Sequence, residues 1–280
     1  MREIAVDQIT EALRRMAIEA NTQLGQDVLD AFAQYKGTEE SPTGIDILCQ
    51  LEENARISRE TLLPLCQDTG FAVVFVELGQ DVHLVGGDLT AAVNEGIRQG
   101  YREGNLRKSI VRDPLNRVNT GDNTPAVIHT KIIPGDKVKI TFAPKGGGSE
   151  NMSGIAMLKP ADGVEGVKKF VLERVSEAGP NPCPPTIVGV GIGGTFEIAA
   201  YLSKLSLLRP LGDRNPDPYY AALEDELLSE VNKLGIGPQG LGGSTTSLDV
   251  HIEFHPCHIA SLPVAVNIQC HSARHKEVEL

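Results

Sequence analysis

Residues 71–78 read FAVVFVEL, an apolar and β-branched run in which polar side chains do not alternate. A strand with one wet face alternates, so a run of this kind is a strand covered on both faces. Such a strand needs helices to cover it, and the sequence supplies them. Residues 89–103 place Ala91, Ala92, Val93 and Ile97 on one side of a helix. Upstream, residues 4–36 read as two helices broken around 21–25, and 42–58 as a third, capped by Ser41 and carrying Ile45, Ile47, Leu48 and Leu51. The first 60 residues are therefore a helical segment. Downstream, strands over 126–133 and 136–143 are joined by Pro134-Gly135, a turn-forming pair. A helix over 164–178, a strand over 186–190, a helix over 196–208 and a helix over 219–234 closed by Gly235 follow. Strands over 249–254 and 263–269 complete the order. No repeat or low-complexity linker interrupts it. The expected fold class is α/β in the mixed (α+β) sense: one domain over 1–280, with an N-terminal helical segment followed by a mixed sheet with helices.

Composition excludes several functions. A net charge of −11 opposes general nucleic-acid binding, which needs clustered Lys and Arg. It leaves room for an anionic substrate in a locally basic pocket. Trp is absent and aromatics are only 4%, so ring stacking is a poor basis for ligand binding. The N-terminus, MREIAVDQITEALRRMAIEAN, is an amphipathic helix rather than a signal peptide, and no run of apolar residues is long enough to span a membrane. The expected location is cytoplasmic. Five cysteines in that setting point to metal binding or chemistry rather than to disulfides.

Three of these cysteines sit in polar or Pro/Gly-rich turns beside strands. Cys66 lies in PLCQDTG before the strand at 71, Cys183 in NPCPP before the strand at 186, and Cys270 in NIQCHSARH after the last strand. Strand ends are where α/β folds place their sites. Cys49, within Ile47-Leu48-Cys49, is expected to be a small buried side chain. The same is expected of Cys257, although His255 and His258 beside it leave a metal role conceivable. Zinc sites usually show short paired spacings, which are missing here, whereas iron–sulfur clusters accept widely separated thiolates. Three thiolates on a cubane leave one iron open as a Lewis acid, which favours chemistry over electron transfer.

Two glycine-rich runs invite an anion-binding reading. Gly191-Ile192-Gly193-Gly194-Thr195 follows a strand and opens a helix, but it lacks the P-loop lysine. It reads either as a phosphate cradle or, preferably, as a close strand–helix turn. Lys145–Asn151, KGGGSEN, reads as a nest of exposed N–H groups or as a plain flexible loop.

Taken together, PLCQDTG at 64–70, LRKSIVRDPLNRVNTGDNTP at 106–125, KGGGSENMS from 145, GPNPCPPTIVGVGIGGT at 179–195 and NIQCHSARH at 267–275 resemble the iron–sulfur-dependent class I fumarases and the related L-tartrate dehydratases. The resemblance covers nearly the whole chain. It implies that Cys66, Cys183 and Cys270 bind a [4Fe–4S] cluster, and that Gln67 and Asp68 reach the substrate, with Asp68 a partner in proton transfer. Asp68 also reads as an Asx-turn residue before Thr69-Gly70. Arg107 is implied as a bidentate carboxylate clamp, Gly148 as a backbone N–H donor and His258 as a substrate contact.

The implied reaction is an oxygen-sensitive hydro-lyase reaction on a small dicarboxylate. Fumarate and malate are preferred over tartrate because the former serve the tricarboxylic acid cycle; no residue separates the two. The chain resembles an α subunit, stopping five residues after His275 where single-chain members continue. A separate β subunit and a higher oligomer of α–β pairs are expected. The reading from another class is a non-catalytic iron–sulfur scaffold.

Overall fold

The computed structural model describes all 280 residues. The elements follow in the order β1 (Arg2–Ala5), α1 (Val6–Thr22), α2 (Gln26–Lys36), α3 (Pro42–Thr61), β2 (Phe71–Gly79), β3 (Val82–Val85), α4 (Leu89–Glu103), β4 (Val127–Ile133), β5 (Val138–Lys145), α5 (Gly147–Glu150), β6 (Gly154–Leu158), α6 (Gly163–Ala178), β7 (Thr186–Gly193), α7 (Phe196–Ser206), α8 (Pro218–Asn232), β8 (Ser247–His255), β9 (Leu262–Gln269) and β10 (Lys276–Glu279). This is the mixed α/β class that the sequence led us to expect. The chain divides into two compact units. The first comprises Met1–Leu24, Asn54–Gly147 and Arg274–Leu280; the second comprises Gly25–Glu53 and Gly148–Ala273. The helical first 60 residues are thus shared between them, α1 in the first and α2 in the second.

In the first unit, one sheet has the order β10-β5-β2-β4, and β1 pairs with β3 in parallel. The apolar run occupies β2, where Ala72–Val76 are all buried. So apolar a strand belongs in the interior of a sheet, and β2 takes that place by entering between β4 and β5. It runs parallel to β4, with Val73 opposite Val127, and antiparallel to β5, with Phe71 opposite Lys145. The turn at Pro134-Gly135 therefore does not close a hairpin. Instead, the end of β2 reaches it: Gly79 N–H donates to Lys137 O at 2.8 Å and Asp81 N–H to Gly135 O at 2.9 Å. Ile9, Leu13 and Met16 of α1 and Val93, Ile97 and Tyr101 of α4 bury against Val74, Val76, Ile140 and Phe142 of the sheet. Each such aliphatic side chain, fully buried, contributes about 1.5–3 kcal/mol. The strands β1, β3 and β10 have four residues each, too few for an alternation to be read from sequence.

The second unit has the strand order β6-β9-β7-β8, with β7 parallel to β8 and antiparallel to β9. All eight residues of β7 are buried. Alternation along a strand separates its two faces. Val188, Val190 and Ile192 join Val167, Val171 and Val175 of α6 and Leu223, Leu227 and Val231 of α8. On the other face stand Gly189 and Gly191, with α7 against them. A Cβ on Gly189 would lie 2.2 Å from Ser203 O, and one on Gly191 would lie 2.1 Å from Ala199 O. The glycines of this run therefore admit the backbone of α7, which is the close strand–helix reading.

One expectation about packing fails. On α3, Ile47 and Leu48 are 8% and 0% exposed, but Cys49 is exposed. Each helical residue turns the side chain by about 100°, which carries Cys49 off the apolar stripe. Cys257 is exposed as well, its Sγ donating to Ser261 O at 3.3 Å in the β8–β9 connection.

Beyond α2, the buried carboxylate of Glu39 gathers the N–H groups of Ser41 (2.8 Å), Ser244 (2.8 Å) and Thr245 (2.7 Å). Burial pushes its pKa up, but the Thr245 side chain and these N–H groups outweigh burial and hold it below the ordinary Glu value.

Two outcomes are expected. Gly191→Val forces α7 off β7 and lowers stability by about 1–3 kcal/mol or more, read from urea unfolding. Because the folded pKa of Glu39 is depressed, its contribution is complete above its unfolded pKa and is lost as pH falls through the folded one. Glu39→Gln should therefore cost about 2 kcal/mol near neutral pH, and that deficit should shrink in acid. A deficit independent of pH would contradict this origin.

Candidate functional site

The Cys66 loop belongs to the first unit, and several of its main-chain carbonyls and N–H groups are held. Leu65 N–H donates to Asn21 O at 2.8 Å, and Asn54 Nδ2 donates to Leu65 O at 2.9 Å. Tyr101, fully buried, donates its hydroxyl to Thr69 O at 2.7 Å and lies 3.1 Å from Gly70 O, which also accepts from Asn123 Nδ2 at 3.2 Å. Gly70 has φ +82°, and a Cβ there would lie 2.8 Å from Lys145 N. This position requires glycine on both counts. The result is a partly exposed thiol on a stiff support: Cys66 Sγ is 3.2 Å from Gln67 Oε1 and 3.4 Å from the Asp68 N–H.

Asp68 is engaged at both carboxylate oxygens. Oδ1 accepts from Gly70 N–H at 3.0 Å, the expected Asx turn, and Oδ2 accepts from Gly147 N–H at 2.7 Å. Gly147 opens the four-residue helix α5, so the KGGGSEN run is partly helical rather than an open loop. Gly148 is the next residue along and belongs to the second unit. Arg107 is exposed; its carbonyl accepts from Thr69 Oγ1 at 3.2 Å, while its guanidinium makes no ion pair. Gln67, Asp68 and Arg107 are thus tied to one loop, with a free cation available for a carboxylate.

Arg274 was quoted in NIQCHSARH without a role, and the structure gives it one. It is 3% exposed, and its Nη2 donates to Asp68 O at 2.5 Å. Its Nε and Nη1 are buried without a protein partner, as is Asn21 Oδ1. A buried cation with unmet donors is costly, and ordered water fits such a polar recess. Neither burial nor this partner leaves a trace in sequence. Tyr101 and Asn123 were missed for the same reason.

In the second unit, Cys183 and Cys270 lie at the same end of the sheet. Cys183 precedes β7 and Cys270 follows β9; because these strands are antiparallel, with Ile187 opposite Gln269, both cysteines fall at the same edge. Cys183 is exposed and has φ +57°, an uncommon conformation for a residue with a side chain. Its N–H donates to Pro180 O at 3.0 Å, and its carbonyl lies 3.0 Å from His271 Nδ1. Cys270 is partly exposed. Neither is in a disulfide, and both stand at a loop-lined edge with the donor type and accessibility that an iron–sulfur cluster takes. No group of three or more His, Cys, Asp and Glu side chains is gathered to hold a metal ion, and within the second unit Cys183 and Cys270 share one sheet edge.

His258 is not brought to this edge. It lies in the β8–β9 connection, at the opposite end of β7. An eight-residue strand spans about 26 Å. There His258 borders a largely apolar cavity of about 350 Å³ with Val164, Tyr219 and Leu223.

Comparison with known proteins agrees with the resemblance. The family model described as fumarate hydratase (Fumerase) matches residues 10–279. A protein of Methanocaldococcus jannaschii, provisionally named L(+)-tartrate dehydratase subunit alpha, is 43% identical over 272 residues, covering 95% of each chain. The L(+)-tartrate dehydratase subunit alpha of Escherichia coli K12 and that of Shigella sonnei are each 36% identical over 277 residues, covering 98% of this chain and 91% of their own. With matches of this identity along nearly its entire length, the chain belongs to the fumarate hydratase (Fumerase) family of hydro-lyases.

Proposed function

We propose that this chain is the cluster-binding α subunit of an L-tartrate dehydratase. The observation that carries the choice of substrate is the naming of its relatives: those at 36% and 43% identity bear tartrate dehydratase names. This reverses the preference for fumarate and malate, which rested on metabolic commonness and on no residue. Those relatives are named as alpha subunits, which supports a separate β subunit.

In this reading Cys66, Cys183 and Cys270 hold a [4Fe–4S] cluster; when bound, it supplies an open iron that polarises a substrate C–O bond. The other steps belong to side chains. Arg107, exposed and without an ion pair, grips a carboxylate bidentately. Asp68 moves the proton at the carbon beside that carboxylate. Its carboxylate already has fixed donors in Gly70 and Gly147, so it is held in place rather than free to rotate. Gln67 and the N–H of Gly148 orient the substrate. His258 stands about 26 Å from the cysteine edge of its own unit, so its substrate contact is proposed to come from a second copy of the chain.

Three experiments decide these points. Anaerobic purification with iron and sulfide analysis should show that serine at Cys66, Cys183 or Cys270 abolishes cluster retention, whereas Cys257→Ser keeps it. Equal retention in all four variants would refute the ligand set. Steady-state kinetics of the two-subunit enzyme should give a higher kcat/KM on L-tartrate than on malate or fumarate. In the same assay Asp68→Asn should lower kcat by about 10²–10⁴-fold, while Arg107→Ala should mainly raise KM. Finally, co-assembling inactive Asp68→Asn and His258→Ala chains should restore part of the activity if His258 acts from a second copy. No recovery would remove His258 from the site.

A further inference from the structure

The loop between α8 and β8 stands at the sheet edge that carries Cys183 and Cys270, and it is fastened far more firmly than a connection requires. Its C-terminal side is fixed by Glu39, through the N–H groups of Ser244 and Thr245, and by Asn232 Oδ1, which accepts from Thr246 N–H at 2.9 Å and Ser247 N–H at 2.8 Å. Gly240, at φ +76°, lies so close to the Cys183 turn that a Cβ would sit 2.3 Å from Pro180 Cβ. Immediately before Gly240 is Gln239, a non-glycine residue at φ +53°. A residue with a side chain held in this region carries a conformational cost, which persists only where its surroundings impose it.

What imposes it here is the Cys183 turn. The backbone N–H of Gln239 donates to Pro184 O at 2.7 Å, and its side-chain Nε2 donates to the same carbonyl at 2.8 Å. One acceptor, next to a cysteine, takes both lone-pair positions' worth of donors from one residue. Nε2 also lies 3.3 Å from His271 Nδ1, which is itself 3.0 Å from Cys183 O. Nδ1 must carry its proton to donate to that carbonyl, and a protonated nitrogen cannot accept from the amide. The shorter contacts settle the assignment. His271 donates to Cys183 O, Gln239 donates to Pro184 O, and the two side chains merely touch. His271 adjoins Cys270 in the chain, so the carbonyls of Cys183 and Pro184 are bound by the neighbour of Cys270 and by Gln239.

We propose that Gln239 is a positioning residue for the metal-binding thiols: it fastens the Cys183 turn to the α8–β8 loop while His271 fastens the same turn to the Cys270 segment, and the two together hold both thiols in a ligating arrangement. This rests on the cluster reading above. Groups that orient metal ligands through hydrogen bonds change metal affinity by about 10–100-fold when removed.

The test uses two variants. Gln239→Gly keeps the main-chain bond to Pro184 and relieves the positive φ, so it isolates the side-chain amide without threatening the fold. Gln239→Glu is isosteric but sets an anionic oxygen against the Pro184 carbonyl. Hydrogen exchange at the Cys183 and Thr186 amides is measured on the metal-free chain. Loss of iron to a chelator is measured on the anaerobically reconstituted protein. Both rates should rise about tenfold in Gln239→Gly and further in Gln239→Glu, with the unfolding midpoint of Gln239→Gly at or above that of the wild type. Unchanged iron loss in both variants overturns the proposal, whether or not exchange changes. A wild-type chain that retains no iron defeats the cluster reading instead, and the metal-free exchange data distinguish that failure from a loose turn.

Discussion

The antiparallel pairing of β7 with β9 is the constraint on which the placement of Cys183 and Cys270 depends. Cys183 and Cys270 are separated by more than a third of the unit's chain, yet they become neighbours because one precedes a strand and the other follows its antiparallel partner. A shift of that register by one residue would turn every side chain of β9 to the wrong face. The register is protected on both sides. Val188, Val190 and Ile192 are committed to α6 and α8, and on the other face Gly189 and Gly191 admit α7 so closely that no Cβ would fit. The placement of Cys183 and Cys270 is thus set up by apolar packing several residues from either thiol.

The first unit solves a related problem differently. Its cysteine loop is not held by a strand pair but by a ring of donors aimed at main-chain carbonyls: Tyr101, Asn123 and Arg274. Asp68 adds acceptors for Gly70 and Gly147. Directing so many groups at the backbone leaves the thiol and the Gln67 side chain as the parts presented outward.

Much of this was legible in the sequence because it follows from periodicity and turn chemistry. The apolar run at 71–78, the helix at 89–103 and the strand at 186 fell where patterning placed them, since burial on one or both faces writes a local pattern. Partnership between strands writes none. Consecutive strands β4 and β5, with a turn between them, look like a hairpin until β2 takes the place between them. Four-residue strands are likewise invisible. Cys66, Cys183 and Cys270 stood out as candidates by their turns, whereas Gln239, His271 and Arg274 act on carbonyls remote in sequence, a partnership that no local pattern records. Cys49 misled because an apolar neighbourhood in sequence is not an apolar neighbourhood on a helix.

The first unit is assembled from three separate stretches of chain, and the last of them supplies both the edge strand β10 and Arg274. During synthesis, the Cys66 loop and most of its donors emerge early, but the guanidinium that fastens Asp68 O emerges only after the whole second unit has been translated. Until Arg274 is in place the thiol loop lacks that donor, so its final stiffness is acquired only after the second unit has been made.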